Sequence, residues 1–527
     1  MGRVKMTRQP GLRRWSVMVA LLGLAGVALL GWSYVQVERG LASRWARGPS
    51  RGRDEAAAAR RDTQLLRARA LLDAGDYPAA VAALDRALAV APGDAEILAL
   101  QVRALRAQRH YTAARSTARR ILDSFPESPL AHILLGSIAL QEGDTATARR
   151  DLQHAVELDT SSSLALAQLA TLELMEGKVA EARRVAQQAL ALNPQDATSL
   201  RVLTRISRSV PELLALYSRL REIIPDDLLT RSWIELLRGS AAPEVNYVSP
   251  IDGPVTVFCE TGTDGRMYVR ARIGPFGGVR LLLDTGASGL TLSETLARRM
   301  GLRLREFSES SGVGGQTRHS HPVLVDRIDV GGMRARALMA TASDLPAGTD
   351  GILNPLIFAP PGAGVSVEIR PQRGTLTFLR AEAARQTPRD GGWVTVPYLA
   401  DSHHVIFPIV LGGRPATALL DTGAGVDMID HSVLERLPGA TLQQAAGQGE
   451  YLVGFGGRVS NAGIVERVAI RLAGQDRTIE RLYVVNLNSE EFRFQVDLDA
   501  IVGAPSLAAF DLRIDPGAGI LSWRATG

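Results

Sequence analysis

The chain has a single cysteine, Cys259, so no intrachain disulfide staples any part of it. That suits a cytosolic protein and equally an exported one that folds without disulfides. No histidine lies near Cys259 in the sequence, and it is expected to be a packed strand residue rather than a nucleophile. A phosphate-binding Gly-Lys-Ser/Thr loop is missing, which excludes a P-loop ATPase. Ser288 lacks the Gly-x-Ser-x-Gly elbow of serine hydrolases. The close pairs His319-Ser-His321 and His403-His404 lack acidic neighbours at ligand spacing; they are expected to be surface histidines, and no metal or cofactor is implied. Aromatic residues are only 5% of an otherwise ordinary globular composition, and the 51 glycines show no collagen-like period.

A net positive charge is also missing from most of the chain. The net charge is +5, yet residues 1–53 carry ten Lys/Arg against one acid, Glu38, so the remainder is slightly acidic. Nucleic-acid binding is not expected. The basic residues flank an uncharged run, 15–37, whose helical rise of roughly 34 Å would cross a hydrocarbon core of about 30 Å. Trp15 at one end and Trp32 with Tyr34 at the other sit at interfacial depth. A transmembrane anchor is expected, with a cytoplasmic basic tail at 1–14 and a linker at 38–58. The alternative is a cleaved signal peptide and a secreted product. In either case the bulk of the chain leaves the cytoplasm, and its Arg/Ala/Leu-rich style suggests a bacterial inner-membrane protein facing the periplasm.

At 527 residues the chain is multidomain. From 59 to 240 it repeats every 34 residues. Tyr77, Ala80, Leu84, Ala87 and Pro92 recur as Tyr111, Ala114, Ala118, Ile121 and Pro126. A third copy reads Thr145, Ala148, Leu152, Ala155 and Thr160, and a fourth Val179, Ala182, Ala186, Ala189 and Pro194. Gly75, Gly143 and Gly177 share one further position, where the second copy has Arg109. The pattern resembles the tetratricopeptide repeat, implying an all-α solenoid in which Gly ends one helix, Ala lets helices approach, and Pro ends the next. Such a solenoid offers either a surface for a protein partner or a rigid spacer.

Beyond 250 the pattern becomes short alternating runs broken by Gly, Pro and Asp, which reads as all-β. It contains a duplication. Val279-Arg-Leu-Leu-Leu-Asp284-Thr-Gly-Ala287 is echoed by Thr417-Ala-Leu-Leu-Asp421-Thr-Gly-Ala424. Ser311-Gly-Val-Gly-Gly315 matches Val453-Gly-Phe-Gly-Gly457, and Asp350-Gly-Ile-Leu-Asn354 matches Asp499-Ala-Ile-Val-Gly503. These stations resemble the aspartic protease family, in its retroviral and two-lobed pepsin forms. The resemblance implies one lobe at 250–380, a linker at 381–392 and a second lobe at 393–527, with the active site in the cleft between lobes.

The chemistry accounts for the residues. Hydrolysis without a metal or covalent nucleophile needs a base for water and an acid for the scissile amide. Two close carboxylates resist double ionisation and share one proton, so Asp284 and Asp421 would be the catalytic pair. By resemblance, Thr285 and Thr422 would link the lobes, while Gly286 and Gly423 would permit the tight turn. Gly312, Gly314 and Gly315, with Gly454, Gly456 and Gly457, would form flaps over an extended polypeptide substrate. Ala287 and Ala424 lack the hydroxyl that pepsin-type lobes place there, so a mildly acidic to near-neutral optimum is expected. Asn354 departs from the family glycine, and tolerance of left-handed backbone is the expected reason that it fits. The expected function is a membrane-anchored aspartic endopeptidase whose repeats dock a partner or substrate. The alternative is an inactive protease-like scaffold that binds protein.

Overall fold

The computed structural model describes residues 55–526 apart from short stretches at 264, 305–307, 311–317, 346–347, 386–391, 438–440, 445–451, 455–456, 460–461 and 489–493. The tail 1–14, the anchor 15–37 and linker residues 38–54 lie outside the described residues, as do Gly312, Gly314, Gly315 and Gly456. Among the described residues no helix is long and apolar enough to cross a membrane.

Eleven α-helices run from Glu55 to Arg238 among the described residues. The repeated alanines are the contact points: Ala80, Ala87, Ala114, Ala118, Ala148, Ala155, Ala182, Ala186 and Ala189 are fully buried. Small side chains let neighbouring helices close up. At Gly136 even a methyl group would meet Leu152 Cγ at 2.8 Å. Asp and Ser side chains cap most helix starts; Asp94, for example, accepts from the N–H groups of Glu96 and Ile97. Gly75, Gly143 and Gly177 turn the chain at φ 75°, 80° and 76°, and Arg109 takes the same left-handed conformation at φ 60°.

The β region holds two sheets of matching topology. In the first half, β1 (Phe276–Leu283) leads to Asp284, and β2 (Leu290–Ser293), β3 (Met333–Ser343) and β4 (Gly351–Leu353) follow. β4 lies between β1, to which it is parallel, and β2, to which it is antiparallel; β2 runs parallel to β3. The second half repeats this with β5 (Arg414–Leu420), β6 (Met428–Asp430), β7 (Gln475–Val485) and β8 (Ala500–Val502). β8 is parallel to β5 and antiparallel to β6, and β6 is parallel to β7.

A third sheet joins the halves, in the order Val394–Pro397, Ile520–Ala525, Phe510–Asp515, Val365–Arg370, Thr375–Arg380, Val255–Phe258. Three strands come from each half, and Ile369 pairs with Leu512 across the join. The buried Glu368 crosses it as well, 2.6 Å from Arg513 Nη2. One apolar core runs through both halves, from Leu281 and Leu353 to Leu420, Val502 and Trp523.

The solenoid is no free-standing spacer. It packs on the second half through a shared core in which Leu140, Leu166 and Met175 belong to the same cluster as Leu419, Met428, Val496, Leu498 and Ile501. The linker that follows the helices adds a short strand, Tyr247–Val248, to the edge of β3.

Candidate active site

Asp284 and Asp421 stand at the ends of β1 and β5, where the central strand of each half holds the chain. The Asp284 N–H donates to the Leu353 carbonyl at 3.0 Å, and that of Asp421 to Val502 at 3.1 Å. Further back, Asp350 accepts the Arg280 N–H and Asp499 accepts the Thr417 N–H, both at 2.9 Å. These carboxylates give the third matched station its purpose: each secures the strand four residues ahead of its Asp-Thr-Gly.

The two loops meet tip to tip. The Thr285 N–H donates to Thr422 Oγ1 at 3.1 Å, and the Thr422 N–H to Thr285 Oγ1 at 3.0 Å. Each hydroxyl then donates across the join, Thr285 to the Leu420 carbonyl at 2.8 Å and Thr422 to that of Leu283 at 3.0 Å. Thr285 is wholly buried and Thr422 nearly so, so these bonds lie out of water and are costly to break.

Gly286 and Gly423 are needed for a reason beyond the turn. A Cβ on Gly286 would lie 2.5 Å from Asp421 Cγ, and one on Gly423 would collide likewise with Asp284. Absence of a side chain on each loop makes room for the opposite carboxylate. Asp284 Oδ1 accepts the Gly286 N–H at 2.8 Å. Asp421 Oδ1 accepts two, from Gly423 and Ala424, both at 2.9 Å. Burial and the neighbouring Asp421 raise the Asp284 pKa well above the usual carboxylate range. Burial raises Asp421 as well, opposed by hydrogen bonding with Asp284, by the two N–H groups and by the charge of His404.

Asn354 is fully buried with φ −80°, ordinary extended backbone, so the left-handed expectation is wrong. Its side chain is what matters. The amide NH₂ reaches the carbonyls of Ala287 at 2.7 Å and of Thr285 and His403, both at 3.1 Å, while its oxygen accepts the Leu356 N–H. The second half has Gly503 instead, where a Cβ would strike the Val426 carbonyl. There Asp427 accepts the Gly503 N–H at 2.8 Å and the Ser506 hydroxyl at 2.9 Å. Burial pushes the Asp427 pKa up to about 6.

His404 is not the surface residue expected of it, whereas His403 sits half-buried in the turn of its hairpin. His404 is buried, with Nε2 3.0 Å from the Gly286 carbonyl oxygen and Nδ1 2.8 Å from that of Asp401. His403 Nδ1 lies 2.7 Å from the Ser288 carbonyl, and burial lowers its pKa. A signal for His404 was present. The Gly412-Gly413 turn pairs Ile406 with Leu419, and continuing that register sets His404 opposite Asp421.

Of the flap residues, Gly454 and Gly457 are described: strands Leu452–Gly454 and Gly457–Val459 pair antiparallel with these glycines opposite each other. In the first half, Ser308–Ser310 pairs with Arg318–Ser320. Cys259 is half-buried, and burial pushes its thiol up to about 12, which suits a packed residue and not a nucleophile. Among the described residues no group of three His, Cys, Asp or Glu is placed to hold a metal ion.

Residues 269–354 match the family described as aspartyl protease, a stretch that includes Asp284 and ends at Asn354. Residues 65–129, 99–165 and 139–206 match tetratricopeptide repeat families. An aspartyl protease domain follows tetratricopeptide repeats. Among solved structures, a thermophilic TPR protein of Thermus thermophilus is 22% identical, covering 34% of this chain and 100% of its own, with a TM-score of 0.30. No curated protein matches the chain. The protease match lies within the first half; the second copy of the motif, around Asp421, is related to it by the duplicated topology described above.

Proposed function

We propose that this chain is an aspartic endopeptidase in which Asp284 and Asp421 share one proton and activate a water molecule against an extended polypeptide. The observation that carries the reading is the pair of side-chain-free positions, Gly286 and Gly423, each filled by the carboxylate of the other loop. Such closeness serves no structural end by itself, because two buried carboxylates repel unless a proton sits between them. It does serve hydrolysis: the ionised member takes a proton from water, and the protonated member donates to the carbonyl oxygen as the hydroxide adds to its carbon. The solenoid, packed on the second half, is proposed to present a protein partner or substrate to this cleft. Residues 15–37 are proposed to anchor the chain in a bacterial inner membrane, with solenoid and protease on the periplasmic side.

The test is cleavage of a randomised peptide library by the full chain in detergent, from pH 3 to 8, with and without pepstatin. Activity lost in both Asp284→Asn and Asp421→Asn supports one shared dyad. Activity that survives either substitution rejects it. Folded wild type without cleavage at any pH moves the reading to a protein-binding scaffold.

A further inference from the structure

Side chains alternate between the two faces of a strand, and the dyad shares its face with apolar residues. On β1, Leu281 and Leu283 belong to the common core. Leu282, two positions before Asp284, joins a small separate cluster with Tyr268, Leu345 and Ile352, against which Ala287 packs. On β5, Ala418 and Leu420 lie in the common core, and Leu419, two positions before Asp421, lies on the other face with Ile406 and Ile501. The first cluster draws on the first half alone. The second does not: Leu419 and Ile501 share it with Leu140, Leu166 and Met175 of the solenoid. The connections differ to match, since residues 344–350 join β3 to β4, whereas 486–499, twice as many, join β7 to β8.

The end of the longer connection is gripped by the solenoid. Asp497 is buried and accepts from Arg109 Nε at 2.6 Å, from the Tyr111 hydroxyl and from Gln141 Nε2 at 3.4 Å. Its own N–H donates to the Gln141 carbonyl at 2.8 Å. The Gln495 N–H donates to Asp401 Oδ2 at 3.2 Å, and Arg205 Nη2 lies 2.6 Å from Asp401 Oδ1. Val496 and Leu498 alternate with these anchors and enter the core shared with the helices. Phe494 is the next residue on their side. It is half-buried and stands edge-on to His404, with ring centroids 4.9 Å apart. The register of Ile406 with Leu419, continued, sets His404 opposite Asp421, and His404 Nε2 lies 3.0 Å from the Gly286 carbonyl oxygen.

We propose that Phe494 is a specificity-determining residue and that Asp497, locked to the solenoid, positions it. Phe494 and His404 form an aromatic wall beside Asp421. One subsite of the cleft is therefore built jointly by the β region and the helices, and it takes a bulky apolar side chain next to the scissile bond. The inference rests on the protease reading above. Anchors at residues 495 and 497 leave the adjoining Phe494 little freedom, which is what a selective wall requires. Breaking the Asp497 anchor leaves a buried carboxylate short of its cation, a strongly unfavourable state that the segment relieves by moving.

The experiment profiles cleavage of a randomised peptide library by full-length wild type, Phe494→Ala and Arg109→Gly, reading residue preference on each side of the scissile bond. Values of kcat/KM follow for matched peptides with Phe or Ala at the affected position, and thermal unfolding verifies folding. Removing the ring takes apolar contact from one subsite, so Phe494→Ala is expected to lower kcat/KM about tenfold for the Phe peptide and to leave the Ala peptide within about twofold. Preferences at the other positions stay as in wild type. Arg109→Gly is expected to weaken the same preference, by less. A folded Phe494→Ala with the wild-type profile overturns the proposal, as does an equal loss on both peptides, the mark of a merely structural residue. Wild type that shows no preference for bulky apolar residues beside the scissile bond overturns it too. A folded Arg109→Gly that keeps the full preference overturns the part given to the solenoid. If Phe494→Ala does not fold, Phe494→Leu is read instead: a smaller fall at the same position supports the proposal and an unchanged profile overturns it. A wild type that cleaves nothing, or cleavage that survives Asp421→Asn, overturns the protease reading and this inference together. A cleaving wild type whose preference ignores Phe494 overturns this inference alone.

Discussion

At the scale of single residues, the site depends as much on missing atoms as on functional groups. Gly286→Ala would place a methyl carbon 2.5 Å from Asp421 Cγ, forcing the loops apart. A displacement of about 1 Å costs on the order of a hundredfold in rate, so kcat of this variant is expected to fall at least that far. Asn354→Gly, which copies Gly503, removes an amide that reaches three carbonyls, that of Thr285 in a buried contact and those of Ala287 and His403 in part-buried ones. Unsatisfied buried groups cost about 1–3 kcal/mol each, partly recovered where water enters. Urea unfolding is expected to show a loss of about 2 kcal/mol, and no loss would mean that the amide is replaceable. The raised pKa of both dyad carboxylates gives the pH profile its sign. Under the proposed mechanism, activity is expected to be lost as pH falls through the pKa of the ionised member, and again as pH rises through that of the protonated one. Both limbs therefore sit above those of a solvent-exposed carboxylate, and a maximum only below about pH 3 would contradict this arrangement.

At the scale of elements, Arg109 shows how a repeat adapts to what it touches. It occupies the glycine position of its neighbours, left-handed at φ 60°, and its side chain reaches Asp430 at 2.5 Å and Asp497 at 2.6 Å in the second half of the β region. Tyr111 and Gln141 contact Asp497 too. Arg109→Gly relieves roughly 1–2 kcal/mol of backbone strain but leaves two buried carboxylates without their cation, which costs about 3–5 kcal/mol. The second effect wins, and the melting temperature should drop. In the sequence, the period exposed Arg109 as the odd residue, and the duplication exposed both Asp-Thr-Gly loops, because repetition within one chain acts as an internal control. What stayed hidden were contacts between elements remote in sequence. Arg109 meets Asp497 across 388 positions, and Asn354 acts through its amide rather than its backbone. His404 needed the hairpin register, which the glycine turn implied, to be aligned with Asp421.

At the scale of the whole molecule, the solenoid covers apolar surface of the second half. Removing residues 1–240 would expose Leu419, Met428, Val496, Leu498 and Ile501, among others. At about 1.5–3 kcal/mol for each large side chain, that loss rivals a typical domain stability of about 5–15 kcal/mol. The truncated β region is expected to aggregate or to melt far below the full chain in calorimetry. A soluble, fully stable fragment would show the contact to be dispensable. The helices thus share one apolar core with the strands behind Asp421.

The sheet that takes three strands from each half has a consequence for how this protein can change over time. When a cleft is formed by two identical chains, every substitution appears on both sides of it at once. Here one gene encodes both sides, and the shared sheet keeps them together at any dilution. A mutation can therefore alter one side alone. Asn354 where the second half has Gly503, and a histidine pair found on one hairpin, are differences of the kind that such freedom allows to accumulate.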